Sequence, residues 1–245
     1  MWRGRGWSTA LAALSLGCVC VSSTARAEED EERTFILFSG RDLWRNGAFA
    51  YGGVLVAPNG FDDDGILLKV LLTGGVYQYT TGLGDRVIVG EWGAQVMPGW
   101  RIKRQGVEAK FFFGPDWERH KLWPDDPANR LRGVQLGLRM AVETWIEPTQ
   151  DTMVASEASL SSLGTQWNGR IAAGWRMFDN MLENGFYLGP ELQYFGADDY
   201  RQFRFGLHLT GLKAENYEWS AAAGWAHDSD GRGSPYLRLN MATRR

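Results

Sequence analysis

Between Val134 and Ile146 the chain alternates. Val134, Leu136, Leu138, Met140, Val142 and Ile146 fall on one side, and Gln135, Gly137, Arg139, Ala141 and Glu143 on the other. Trp167 to Met177 repeats the pattern, with Ile171, Ala173 and Trp175 opposite Arg170, Gly174 and Arg176. In Phe203 to Leu209 the residues Phe203, Phe205, Leu207 and Leu209 oppose Arg204, Gly206 and His208. A period of two is the signature of a β-strand with one apolar and one polar face. No stretch carries a helical period of comparable strength. Turn signals punctuate the strands, among them Pro58-Asn59-Gly60, Gly82 to Asp85, Gln105-Gly106, Pro124 to Asn129, Glu147 to Asp151, Asp179 to Gly185 and Asp228 to Ser234. They predict an all-β chain of about 10–12 strands, with twelve if Phe35 to Gly40 pairs separately from Phe49 to Ala57.

Alternation leaves open whether the apolar face points inward, as in a soluble barrel or sandwich, or outward into lipid. The aromatic spacing favours lipid. Trp92 and Trp100, Trp167 and Trp175, Phe186 and Tyr194, and Tyr217 and Trp225 are each eight residues apart, so each pair shares a face of its strand. Eight steps cover about 26 Å of strand. A tilt near 40° reduces this to about 20 Å of height, close to the apolar band between the aromatic girdles of a membrane barrel. The same-face residues between them, such as Gly169, Ile171 and Ala173 or Leu188, Pro190 and Leu192, carry no charge. Trp167, Trp175, Phe186, Tyr194, Tyr217 and Trp225 are therefore the girdle candidates of an up-and-down, antiparallel transmembrane β-barrel, in contact with outer-membrane lipid. Proline removes a ladder donor. Pro98 and Pro190 should therefore not lie mid-strand, and Pro98-Gly99 reads as a turn or bulge.

The opposite face holds Glu91, Arg139, Glu143, Arg170, Arg176, Glu191, Arg204 and His208, together with Gln95, Glu108, Lys110, Gln135, Glu157, Gln193 and Glu218. The signs nearly balance, which predicts cross-strand ion pairs in a narrow lumen; an ion-selective pore would show one sign in excess. Gly137, Gly174, Ala222 and Gly224 on this face leave room for long side chains.

Catalytic signals are weak. His120, His208 and His227 lie on different segments without nucleophile-triad or metalloprotease spacing. His227-Asp228-Ser229 has triad residue types, but adjacent residues point apart. Asp62-Asp63-Asp64-Gly65 lacks the ligand alternation of an EF-hand and reads as a solvated loop. Trp145 and Phe112 on the polar face suit either sugar stacking or lumen filling. No catalytic residue, cofactor or metal site is assigned.

Arg3 and Arg5 precede an apolar run from Ala10 to Val21, and Ala25-Arg26-Ala27 has the small-x-small form of a cleavage site. Residues 1–27 read as a signal peptide, leaving 28–245 as one barrel domain. Cys18 and Cys20 both lie in the leader, so the remainder cannot be a disulfide scaffold. Removing Arg3, Arg5 and Arg26 leaves 23 basic against 29 acidic residues, a net charge of −6. Such a charge argues against a nucleic-acid partner.

The segment "HKLWPDDPANRLRGVQLGLRMAVETW", residues 120 to 145, resembles the BcsS-type cellulose biosynthesis proteins found in bacterial cellulose operons. Its most specific piece is the turn of Pro124, Asp125, Asp126, Pro127 and Asn129. "FSGRDLWRNGAFAYGGVLVAPNG" from Phe38 and "GPELQYFGADDYRQFRFGLHLTGL" from Gly189 carry the likeness over most of the chain. The resemblance implies support of bacterial cellulose synthesis or export at the outer membrane of a Gram-negative cell. The implied partners are cellulose or glucan, or components of the cellulose synthase complex; the resemblance brings no catalytic residues. Outer-membrane barrels in general end on an aromatic residue, whereas this chain reads Ala242-Thr243-Arg244-Arg245. A generic narrow porin and a soluble periplasmic glycan-binding barrel are the rival readings.

Overall fold

The computed structural model describes residues 34–178, 185–198, 200–229 and 231–245. The expected leader, its cleavage point before Glu28, and most of the Asp179 to Gly185 turn lie outside the described residues. Among those residues the strands are β1 (Phe35–Trp44), β2 (Gly47–Val56), β3 (Gly65–Thr80), β4 (Arg86–Arg104), β5 (Val107–Trp123), β6 (Gly133–Thr149), β7 (Thr152–Ser161), β8 (Trp167–Met177), β9 (Phe186–Ala197), β10 (Tyr200–Ala214), β11 (Tyr217–Asp228) and β12 (Gly233–Arg244). Each pairs antiparallel with its sequence neighbours, and β1 pairs with β12 to close the barrel. This is a closed twelve-strand, up-and-down barrel with no open sheet edge. Phe35 to Gly40 lies in β1 and Phe49 to Val56 in β2, with Ala57 just beyond it, as the larger strand count required.

The prolines correct one expectation. Pro98 is neither in a turn nor at a bulge: it lies inside β4, opposite Leu68 of β3, and Pro190 lies inside β9, opposite Leu207 of β10. In an antiparallel ladder a residue directs both its N–H and its C=O at one neighbouring strand, so a proline weakens the ladder on one side only. The interruptions fall there. The β4–β5 ladder skips from Gln95↔Asp116 to Gly99↔Phe112, and the β8–β9 ladder from Ala172↔Glu191 to Trp175↔Leu188, without change of register. Gly114 and Gly189 let the backbones approach beside these gaps, since a Cβ there would strike the carbonyl oxygens of Val96 and Ala173. A true bulge occurs in β10, between Leu209 and Leu212, where Gly211 has φ +82°.

Burial is inverted relative to a soluble protein. Leu136 is 75% exposed, and Leu72 and Leu207 are each 60% exposed, whereas Arg101, Glu191 and His208 are each 1% exposed. Trp92, Trp100, Trp175 and Trp225 stand on the outer wall, about half exposed. Trp167, Phe186 and Tyr217 share that face and are partly covered by neighbours: Trp167, for example, packs on Tyr194 at 4.4 Å between ring centroids. The outer wall is thus an apolar surface with aromatic residues toward both rims, suited to lipid.

Inside the barrel, apolar clusters lie toward both ends. Toward the end where β1 begins and β12 finishes, the turn after β2 places Phe61 against Leu55, Leu67, Met97 and Phe112. Toward the other end, Val87, Val89 and Leu122 pack with Tyr77 and Tyr79. Charged side chains fill the space between.

Candidate functional site

The lumen is crossed by hydrogen bonds between strands that are not neighbours. Glu191 of β9 accepts from Arg170 Nε of β8 at 2.5 Å and from Arg238 of β12, and Tyr236 Oη donates to its other oxygen at 3.3 Å. One buried carboxylate therefore sits between two guanidinium groups. Arg204 of β10, 2% exposed, donates to both oxygens of Asp42 on β1 at 2.8 Å and to Gln202 Oε1 at 2.6 Å. Its guanidinium lies 4.8 Å from the ring centroids of Trp44 and Phe195 and 5.2 Å from that of Tyr236. Desolvation penalises both charges of such a pair, and the added hydrogen bonds and aromatic faces offset that cost. Lys69 of β3 reaches Glu143 of β6 at 2.5 Å, over the rings of Phe38 and Phe112.

Arg139 of β6 joins a further group. It donates to Asp116 at 2.8 Å, Glu118 at 3.2 Å, Gln166 at 2.9 Å and Ser159 at 3.2 Å. Beside it, His120 Nε2 lies 3.0 Å from Glu118, and Nδ1 lies 3.4 Å from Tyr77 Oη and 4.0 Å from Glu91. The ligand-type atoms of Glu91, Glu118 and His120 fall within 4.8 Å of one another, a donor set that suits a divalent transition metal by type. His120 and Glu118 are hydrogen-bonded to each other at 3.0 Å, while Glu91 approaches His120 only to 4.0 Å. Strand spacing missed this group, although Glu118 and His120, two apart on one face, were the available signal.

The other sequence candidates can be placed directly. Arg176 bonds Tyr187 Oη and stacks on its ring at 5.0 Å, while His208 contacts Thr210 at 2.9 Å and the Ala173 carbonyl at 3.1 Å. Gly174 leaves the space that His208, Tyr187 and Met153 occupy, since an added Cβ would press on all three. Phe112, 3% exposed, is enclosed in the apolar cluster and out of reach of a sugar. Trp145 stands edge-on to Tyr187 and donates to Glu147 at 3.1 Å. His227 and Asp228 diverge as adjacent strand residues must, with His227 opposite the outward Phe203 and buried Asp228 accepting from Asn46 at 3.1 Å.

Both ends carry ordered turns. At the rim where β1 finishes and β12 begins, Tyr79 Oη donates to Asp126 at 2.6 Å and accepts from Asn129 Nδ2 at 3.0 Å. Asp125 pairs with Arg132 at 2.9 Å. The Pro124 to Asn129 turn is thereby tied to β3. At the opposite rim, Arg101 donates to the carbonyls of Gly60 and Asp63. There Asp64 accepts from the Lys103 amide and from Arg104, which hold its carboxyl below the usual carboxylate range. The Asp62 to Asp64 stretch is thus a tethered loop, leading into Gly65 at the start of β3, whose Asp64 carboxylate is engaged by protein donors.

Comparison with solved structures places the architecture. The β domain of the Bordetella autotransporter BrkA aligns with a TM-score of 0.55 at 10% identity, covering 88% of this chain and 100% of that one. The translocator domain of the autotransporter NalP from Neisseria meningitidis aligns with a TM-score of 0.53 at 10% identity, covering 89% and 90%. At that identity the likeness is one of fold, an outer-membrane β-barrel. A search of curated protein sequences returned no significant match. The family model of cellulose biosynthesis protein BcsS matches residues 36–245, which takes in the whole barrel from Ile36 onward, and the chain belongs to that family.

Proposed function

We propose that this protein is a non-enzymatic outer-membrane component of bacterial cellulose production that anchors or organises the secretion apparatus at the envelope, and does not itself conduct the polymer. Residues 1–27 serve as its leader and 28–245 as the mature barrel. Family membership supports the link to cellulose. The observation that carries the finer role is the crossing of the lumen by buried side chains. The Asp42–Arg204 and Glu191–Arg238 contacts join strands three places apart around the barrel, and the groups that make them are largely shut off from water. A glucan chain in transit needs a continuous wet bore, and opening one here would strip several charges of their partners at once, at a cost of about 3–5 kcal/mol for each broken pair. Contacts with glucan or with synthase components then fall to the two rims, where the ordered turns are.

Deletion of the gene is expected to reduce cellulose-specific dye binding, restored by the wild-type barrel. Normal dye binding in the deletion strain would instead favour a barrel without a cellulose role. Large single-channel conductance from purified protein in a planar bilayer would favour a conduit.

A further inference from the structure

The charges on the outer wall are distributed unlike those in the lumen. Among the described residues every Asp and Glu that the register pairs within a strand faces the lumen. The outward strand charges are all cationic. Arg41, Arg86, Arg119, Lys121 and Arg201 lie toward the rim that carries the 124–132 loop. Arg104 lies at the opposite rim, where it is paired with Asp64 at 2.8 Å. Arg119 and Lys121 differ from the others in having a groove beside them. Leu72, Trp92, Ala94 and Trp117 line an outward-facing depression of about 540 Å³ on β3–β5, and the two cations stand at its rim end. Arg119 is opposite Trp92 on one side and Val134 on the other, so no carboxylate faces it across either ladder, and Lys121 lies over the Trp123 ring at 4.9 Å.

An unneutralised cation on a lipid-facing wall is unfavourable unless it reaches the headgroup level and finds an anion there. Trp92 marks that level as one end of its aromatic pair, and Lys121 stands one same-face step beyond Arg119, about 6.6 Å further along the strand. Two cations at this spacing, beside an apolar groove, complement an amphiphile with more than one phosphate and several acyl chains.

We propose that this groove binds a phosphorylated glycolipid of the outer membrane's external leaflet, with Arg119 and Lys121 engaging its phosphates and Leu72, Trp92, Ala94 and Trp117 packing its chains. The proposal rests on the outer-membrane location and is independent of what the lumen does. It also orients the barrel, with the 124–132 loop facing the cell exterior.

The test is native mass spectrometry of the detergent-purified full barrel titrated with bis-phosphorylated lipid A, its dephosphorylated form, or phosphatidylglycerol. The wild type is expected to retain bis-phosphorylated lipid A at least about tenfold better than the other two. The Arg119→Gln/Lys121→Gln double variant is expected to lose that preference, while Arg104→Gln keeps it. Heat-modifiable gel migration checks that each variant is folded; if the double variant is not, each single variant is expected to bind about threefold more weakly. Undiminished lipid A binding by folded variants would overturn the proposal. Equal retention of phosphatidylglycerol would also overturn it, by showing a general anionic-lipid surface.

Discussion

The two faces of β10 show how differently this barrel treats charge and apolar surface. Phe203, Phe205 and Leu207 are 42%, 54% and 60% exposed, while their neighbours Arg204 and His208 are 2% and 1% exposed. In water this arrangement would be unstable. In a bilayer each face meets a matching environment: hydrocarbon outside, and inside a set of charges that neutralise one another. The outer face tolerates exchange among apolar residues because lipid is a fluid partner. The inner face does not tolerate loss of one member, because the others are already buried.

Breaking the inner face at its most shared group should have the largest effect. Glu191→Ala leaves Arg170 and Arg238 facing each other without a carboxylate, and is expected to destabilise the folded barrel by about 3–5 kcal/mol. The readout is the urea midpoint of the heat-modifiable folded band. An unchanged midpoint would mean that water already neutralises the pair.

Breaking the outer face comes next. Leu207 is opposite Pro190, midway between Phe186 and Tyr194, so Leu207→Arg is expected to cost about 2–4 kcal/mol and to reduce membrane assembly. Leu207→Phe in the same assay should be close to neutral. A more exposed lumen pair should matter less: Glu143→Gln, which weakens the contact with Lys69, is expected to cost about 1 kcal/mol, and Lys69→Met somewhat less because its stem still packs on Phe38 and Phe112. The smallest effect belongs to the rim, where Arg104→Ala removes a solvent-exposed partner of Asp64 and should leave the urea midpoint unchanged.

The facing of most strands was legible in the sequence because β6, β8 and β10 alternate cleanly. The partners of the lumen charges were not. Arg204 reaches Asp42, Glu191 reaches Arg238, and Glu143 reaches Lys69, contacts that depend on barrel closure and on chords across the lumen, not on any spacing along the chain. Local composition hid others. Lys69 sits in a stretch apolar on both faces, from Ile66 to Leu72, because the inward Leu67 packs on the Phe61 turn. In β5, Phe111-Phe112-Phe113 and Pro115 mask the alternation that puts Asp116, Glu118 and His120 inside. Pro98 misled for a different reason: a missing N–H costs one ladder, and a barrel strand has two.

The membrane placement of this barrel rests on its apolar face meeting lipid. The most direct measurement is fractionation of expressing cells with a carbonate wash, followed by gel migration of the pellet with and without boiling. The protein is expected to stay in the membrane pellet and to migrate faster when unboiled, as a folded barrel. Release into the supernatant with a single gel position under both conditions would show that the apolar face does not meet lipid.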